Sequence, residues 1–287
     1  MYFRNWAYIC RLFKQIQMIK KIIEAVDFIK NSYKEVPVVG IILGSGLGNF
    51  TQEIKIEKEI PYQDIPHFPV STVEGHSGKL IMGELSGKKV VAMAGRFHNY
   101  EGYTPQEIVF PVRVMKYLGI KTLLISNAAG GVNPTFKVGD LMIINDHVSQ
   151  FVPNPLIGKN ELELGPRFPD MTEPYKSSII LTAKQIAKDA AIEVKEGVYI
   201  CVTGPTFETK AEYRMIKSIG GDAVGMSTVQ EVIVAAHMGI PCFAISVITD
   251  MWIDGHEEVI SHEEVLKAAK LAEPKLTLIF KELVKQI

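Results

Sequence analysis

Residues 88–103, KKVVAMAGRFHNYEGY, join an apolar run to a loop that is crowded with hydrogen-bonding side chains. The first seven residues have the β-branched and apolar composition of a short buried strand. The loop that follows holds Arg96, His98, Tyr100 and Glu101. A solvated surface loop needs neither that density of polar groups nor the aromatic rings beside them. A pocket for an anionic, hydroxylated ligand uses all of them.

The same order of apolar run and polar cluster recurs along the chain. Four further clusters are GSGLG at 44–48, NAAGG at 127–131, GPTFET at 204–209 and TDMW at 249–252, and each follows a strand-like run. In open α/β sheets the ligand lies beyond the carboxyl ends of the strands. Five segments far apart in sequence are therefore predicted to converge on one crevice, with NAAGG interpreted as a turn of small residues.

The strand-like runs alternate with helical patterns, which predicts an α/β fold. Two examples of the helical pattern are residues 104–119 and 175–193. Residues 79–94 contain two apolar runs joined by SGK, which is the pattern of a hairpin, so the sheet should be mixed. The pattern predicts a single domain with a mixed central β-sheet flanked by helices.

Composition narrows the class of protein. The chain has 287 residues, 47% of them apolar, and no linker-like segment divides it, which favours one domain over residues 18–287. Residues 1–17 are interpreted as an N-terminal extension or the product of an alternative start, because a cleaner amphipathic helix begins at Met18. A net charge of −1 without a basic stripe argues against nucleic acid as a partner.

The remaining composition features concern location. No apolar stretch approaches the roughly 20 residues that a membrane span needs. Cys10, Cys201 and Cys242 lack metal-ligand spacing, and the last two lie in apolar runs. They are interpreted as core cysteines of a cytoplasmic protein.

The glycine-rich segment GSGLGN has an alternative interpretation as a dinucleotide site. Its third glycine, Gly48, comes one residue too early for G-x-G-x-x-G, and no acidic residue ends a clear second parallel strand about 20 residues later. A nicotinamide-dependent oxidoreductase is therefore disfavoured. Glycines after a strand do expose backbone N–H groups to an anion, and Ser45 adds a hydroxyl donor.

Two pairs of residues suggest the two ends of a ligand. Arg96 and His98 suit a phosphate, because a planar cation lies beside a second hydrogen-bond donor. Phe207 and Glu208 suit a flat heterocycle, because an aromatic face can stack on the ring while the carboxylate accepts from its N–H groups. Ser227, at the start of a helical pattern, is a further candidate donor to phosphate.

Seven motifs taken together resemble those of the trimeric purine nucleoside phosphorylases, the low-molecular-mass class related to methylthioadenosine phosphorylase. They are GSGLG, GRFHNYEGY, NAAGG, RFPDM, GPTFETKAE, DAVGMSTVQEV and SHEEVL. The resemblance implies a nucleoside phosphorylase-type fold and a cytoplasmic homotrimer. It also implies a reaction in which phosphate attacks C1′ of a purine nucleoside, giving free base and α-ribose 1-phosphate (or the deoxy equivalents). Phosphate is then a co-substrate, and no metal or other cofactor is expected.

The resemblance also assigns roles to residues of this chain. The expected phosphate ligands are Ser45, His76 on a closing loop, Arg96, His98, the Ala128 backbone and Ser227. The expected sugar contacts are Tyr100, Met226, His262 and Phe168, the last reaching into the site of a neighbouring subunit. The expected base contacts are Phe207, Glu208, Val224 and Asp250. The expected catalytic residues are His98, Glu208 and Asp250.

Asp250 departs from the pattern of the family. Members specific for 6-oxopurines commonly have Asn at this position, whereas an ionised Asp250 only accepts hydrogen bonds and favours the amino group of adenine. Glu208 suits N1–H of a 6-oxopurine, so inosine and guanosine are placed ahead of adenosine. A methylthioadenosine phosphorylase remains the alternative, although His262 suits a 5′-hydroxyl better than a thioether. A non-catalytic nucleoside-binding protein is the second alternative.

Overall fold

Nine strands form one mixed sheet in the computed structural model, which describes residues 18–73, 76–253, 255 and 261–287. The interpretation of residues 1–17 and of Cys10 therefore concerns a segment outside the described residues. The strands are β1 Val39–Ile42, β2 Lys55–Pro61, β3 Lys79–Leu85, β4 Lys88–Ala94, β5 Thr122–Gly131, β6 Leu141–Val148, β7 Val194–Cys201, β8 Ala223–Gly225 and β9 Cys242–Met251.

The strand order makes part of the sheet close on itself. The order is β2-β3-β4-β1-β5-β8-β7-β6-β9, and β9 also pairs with β5. Strands β5, β8, β7, β6 and β9 therefore form a closed ring, while β1 to β4 extend it. The β3–β4 pair is the predicted antiparallel hairpin, whereas β1 is parallel to both β4 and β5. The predicted α/β fold with a mixed central sheet is confirmed.

Helices flank this sheet. They are α1 at 18–32, α2 Pro105–Ile108, α3 Phe110–Leu118, α4 Ser177–Asp189, α5 Lys210–Ser218, α6 Val229–His237 and α7 His262–Gln286. The helical pattern at 104–119 forms two helices, because α2 ends before Val109 and α3 begins after it. Pro111 has no N–H to donate to the preceding turn, so the first helix cannot continue through it.

The NAAGG segment is not the turn that the sequence suggests. Residues 127–131 continue β5, and their partners in β9 run to Met251. The absence of a side chain at Gly131 leaves room for two β9 side chains, since a Cβ there would meet Met251 Sδ and lie 2.9 Å from Ile248 Cγ2. Gly130 and Gly131 also pair with β8 on the other side. Backbone partners on both sides thus outweigh the low strand propensity of glycine.

Apolar side chains fill both faces of the central strands. All four residues of β1 are buried, and so are Cys201 and Cys242, which agrees with their interpretation as core cysteines. Among the described residues, no helix is long and apolar enough to cross a membrane.

Candidate active site

One cavity of about 120 Å³ lies where β1, β4, β7 and β9 reach their carboxyl ends. It is lined by every predicted site residue except His76 and Phe168. The lining residues from the predicted phosphate group are Ser45, Arg96, His98, Ala128 and Ser227. Those from the predicted sugar and base groups are Tyr100, Met226, His262, Phe207, Glu208, Val224 and Asp250.

Two glycines bring Ser45 to this cavity. A Cβ on Gly44 would lie 2.7 Å from the Asn127 Cα, so only glycine lets the loop approach β5 this closely. Gly46 has a φ of 74° and would meet Ala269 of α7 in the same way. The loop after β1 is consequently held between β5 and α7, with Ser45 at the cavity wall.

Arg96 is a buried cation whose hydrogen bonds are almost all made within the protein. Its side chain is 1% exposed. Nη1 donates to the hydroxyls of Ser227 and Thr228, both at 2.9 Å. Nη2 donates to the carbonyl oxygens of Ile42, at 3.3 Å, and Ser126. Nε–H has no hydrogen-bond partner within the protein.

The carboxylate of Glu231 lies beside the Arg96 guanidinium. The distance from Glu231 Oε2 to Arg96 Nη1 is 3.4 Å, and both side chains are almost fully buried. An ionised group at this depth is tolerated when an opposite charge accompanies it. The pair therefore keeps a charged guanidinium at the floor of the cavity without leaving a net buried charge.

His76 lies behind Ser45 rather than in the cavity wall. His76 Nδ1 lies 3.3 Å from the backbone N of Arg96, 3.2 Å from the Arg96 carbonyl oxygen and 3.2 Å from Ser71 Oγ, and Nε2 is 3.2 Å from Ser45 Oγ. Burial, with His98 and Arg96 nearby, lowers the pKa of His76 to about 4. A neutral His76 is thus a hydrogen-bond partner of Ser45, which lines the cavity.

His98 is the middle ring of a stack. It lies 5.7 Å from the ring of His76 on one side and 4.7 Å from that of Tyr100 on the other. Its Nδ1 is 3.0 Å from Glu101 Oε1. Burial lowers the pKa of His98 despite this hydrogen bond to a carboxylate. Nδ1–H of the neutral ring therefore points to Glu101, and Nε2 is left for the ligand.

Glu101 connects the loop after β4 to residue 72. Its Oε1 accepts from the backbone N–H of His98, and its Oε2 accepts from the backbone N–H and hydroxyl of Thr72. Burial alone would raise the pKa of Glu101, but the hydrogen bonds from His98 and Thr72 outweigh it and lower the pKa to about 2. Glu101 is therefore ionised at neutral pH and fixes the orientation of His98.

Two carboxyl groups lie in another part of the cavity wall. Burial raises the pKa of Asp250, and Thr249 donates a hydrogen bond of 2.9 Å to its Oδ1. Burial also raises the pKa of Glu208, and the nearby Asp250 adds to this increase. Each group thus favours its neutral form more than a solvated carboxyl does, and ionisation of one opposes ionisation of the other.

The register of β5 separates the cationic and carboxyl regions. Ser126 accepts from Arg96, and Gly130 pairs with Asp250 of β9. Four residues of extended chain span roughly 13 Å. The cavity therefore has a cationic end and a carboxyl end, with Tyr100, Met226 and His262 also in its wall.

Phe168 lies apart from the cavity. Its side chain is 86% exposed, the Arg167 guanidinium lies 5.6 Å from its ring, and it lines a second cavity of about 610 Å³.

Several residues in or behind the cavity wall were not identified from the sequence. Asn127 and Thr249 line the cavity, and Thr228 and Glu231 contact Arg96 behind it. Thr228 and Glu231 lie within a quoted motif, but their polar side chains are equally compatible with an ordinary helix start. Among the described residues, no group of three or more His, Cys, Asp or Glu side chains is placed to hold a metal ion.

Known proteins resemble this chain over most of its length. A family model described as "Phosphorylase superfamily" matches residues 38–285. Purine nucleoside phosphorylase 1 of Geobacillus stearothermophilus is 50% identical over 264 residues, which cover 92% of this chain and 96% of that protein.

Solved structures agree with the sequence relatives. Purine nucleoside phosphorylase of Schistosoma mansoni in complex with adenosine superposes with a TM-score of 0.89 at 40% identity, covering 94% of this chain and 98% of that one. The same enzyme in complex with inosine gives 0.89 at 39% identity, covering 94% and 97%. The resemblance seen in the motifs is confirmed, and the chain belongs to the purine nucleoside phosphorylases of the phosphorylase superfamily.

Proposed function

We propose that phosphate binds at the cationic end of the cavity and the purine at the carboxyl end. The observation that carries this proposal is that one cavity contains two distinct groups of polar side chains. Arg96 and Ser227 lie at one end, Glu208 and Asp250 lie at the other, and four residues of β5 separate the two ends. Ser45, His98 and the Ala128 backbone complete the phosphate end. His76 acts there through Ser45.

The two ends fit a displacement at C1′ of the nucleoside. A phosphate oxygen forms the new bond to C1′ while the bond from C1′ to N9 of the purine breaks, and the departing base takes up a proton. Arg96 and His98 hold the phosphate on one face of the sugar. Tyr100, Met226 and His262 contact the sugar between the ends.

The base is recognised by Phe207, Glu208, Val224 and Asp250. Phe207 stacks on the purine, and an ionised Glu208 accepts from N1–H of a 6-oxopurine. Asp250 acts in its neutral form, donating a proton to the N7 and O6 region of the leaving base. The raised pKa of Asp250 supports this role. Inosine and guanosine are therefore the preferred nucleosides, in their ribo and deoxyribo forms.

Adenosine is the second candidate because of the same Asp250. When ionised, its carboxylate accepts from the 6-amino group of adenine and repels O6 of hypoxanthine. Similar structures hold adenosine in one case and inosine in another. Methylthioadenosine is disfavoured because His262 lines the cavity with a polar ring that suits a 5′-hydroxyl.

The family resemblance also supports proposals for the oligomeric state, the domain bounds, the cofactors and the location of the enzyme. The enzyme is a homotrimer in which Phe168 closes the sugar region of the site in a neighbouring subunit. The 86% exposure of Phe168 supports this role, because the ring is accessible to another subunit. Residues 18–287 form the phosphorylase domain and residues 1–17 an extension. Phosphate is the co-substrate, no metal or other cofactor is used, and the buried thiols suit a cytoplasmic location.

Initial rates with four nucleosides test the base preference. With saturating phosphate we expect kcat/KM for inosine and guanosine to exceed that for adenosine and methylthioadenosine by about tenfold, because mispaired buried polar groups penalise the wrong base. Release of base should stop without phosphate. A higher kcat/KM for adenosine or methylthioadenosine would overturn the proposed preference, and phosphate-independent release would overturn the proposed chemistry.

A further inference from the structure

Thr228 lies behind the cavity in an unfavourable backbone conformation. Its φ is 72° and its ψ is −53°, and its side chain is 1% exposed. A β-branched residue in this region is a genuine outlier that the surrounding contacts must hold in place. The residue sits between Ser227, which lines the cavity, and the start of α6.

The hydroxyl of Thr228 has both of its acceptor positions occupied. Arg96 Nη1 and Asn127 Nδ2 each donate to Thr228 Oγ1 at 2.9 Å. A hydroxyl oxygen has two lone pairs and one proton. The proton must therefore go to a further acceptor, and Ser227 Oγ lies 3.2 Å away.

The direction of that bond determines what Ser227 can do. With Thr228 as the donor, Ser227 Oγ accepts from Thr228 and also from Arg96 Nη1, at 2.9 Å. Its two acceptor positions are thus filled, and its own proton remains. Since Ser227 lines the cavity, this O–H is available as a donor to a ligand there.

We propose that Thr228 is a positioning residue that makes the Ser227 hydroxyl a donor to phosphate. The proposal rests on the assignment of phosphate to the cationic end of the cavity. Thr228 itself does not line the cavity, so its effect passes through Ser227 and through the orientation of Arg96. The cost of the backbone conformation is offset by this arrangement, which presents a fixed donor before the anion arrives.

Three substitutions at Thr228 separate the hydroxyl from the shape of the side chain. Thr228→Val keeps the β-branched side chain, and with it the energetic cost of the positive φ, but removes the hydroxyl. Thr228→Ser keeps the hydroxyl and is the matched control. Thr228→Gly removes the hydroxyl while relieving the positive φ, so it provides a second test that does not depend on Val being tolerated.

We expect the valine and glycine variants to raise the KM for phosphate about tenfold or more, because Ser227 loses its fixed donor role and two buried N–H groups lose their acceptor. The KM for inosine should change less than about twofold, because the hydroxyl is not part of the carboxyl end. Thr228→Ser should restore the KM for phosphate to near the wild-type value. All assays are made well below the melting temperature of each variant.

The possible outcomes distinguish the positioning role of Thr228 from the assignment of phosphate to the cationic end, on which that role rests. An unchanged phosphate KM in Thr228→Val and Thr228→Gly, equal increases in both KM values, or a Thr228→Ser variant as defective as Thr228→Val would overturn the positioning role. Ser227→Ala serves as the reference. If that variant leaves the phosphate KM unchanged while Arg96→Met raises it, phosphate binds at this end without Ser227 and the positioning role fails; if neither variant changes it, the assignment of phosphate to this end has failed.

Discussion

Arg96→Met is expected to lower kcat/KM for phosphate by about a thousandfold. The substitution removes the buried guanidinium from the cationic end of the cavity, and single preorganised donors to a reacting anion are worth 10²–10³ in rate. It also removes the donor to Ser227 and Thr228. Steady-state rates at varied phosphate and fixed inosine measure the effect.

Loss of folding must be separated from loss of phosphate binding. Arg96→Met leaves Glu231 as a buried carboxylate without its cation, which costs about 3–5 kcal/mol. The double variant Arg96→Met/Glu231→Met removes both charges, so we expect its melting temperature to recover substantially while the phosphate defect persists. A double variant that regains wild-type use of phosphate would show that Arg96 acts only through stability.

Asp250→Asn is expected to raise the inosine-to-adenosine ratio of kcat/KM by about ten- to a hundredfold, a range typical of one or two altered hydrogen bonds to a base. The amide donates to the O6 and N7 region at every pH, whereas Asp250 does so only when protonated. The substitution also removes the carboxylate with which an ionised Asp250 accepts a hydrogen bond from the amino group of adenine. Parallel assays with the two nucleosides measure the ratio.

The pH profile gives an internal check on this substitution. Burial raises the pKa of Asp250, so Asp250 stays neutral to a higher pH than a solvated carboxyl group does. The neutral form is lost as the pH rises through the raised pKa. Wild-type activity on inosine should therefore fall on the alkaline side of this titration, and Asp250→Asn should lack that decrease. An unchanged nucleoside ratio together with an unchanged profile would remove Asp250 from base recognition.

The sequence predicts the site better than it predicts the strands around it. Polar clusters after apolar runs are local features, and parallel strands bring their carboxyl ends to one edge of a sheet. Arg96, Glu208 and Asp250 could therefore be grouped before any coordinates. The short strand β8 and the continuation of β5 through Gly131 were missed, because their pairing depends on neighbours distant in sequence.

Residues that act through other residues were the least predictable. Thr228 looks like an ordinary residue at a helix start until its φ of 72° and its bonds to Arg96 and Asn127 are known. Glu231 looks like a surface residue of α6, yet it is 2% exposed because its helix packs that face against the guanidinium. The burial of Glu231 and the hydrogen bonds of Thr228 depend on contacts with residues distant in sequence, which local propensity does not record.

A crystal structure of the enzyme with hypoxanthine and ribose 1-phosphate would locate both ends of the cavity at once. We expect the phosphate within hydrogen-bonding distance of Ser227 Oγ, Ser45 Oγ and the Ala128 N–H, and the purine against Glu208 and Asp250. A phosphate bound beside the two carboxyl groups, or outside this cavity altogether, would contradict the proposed arrangement.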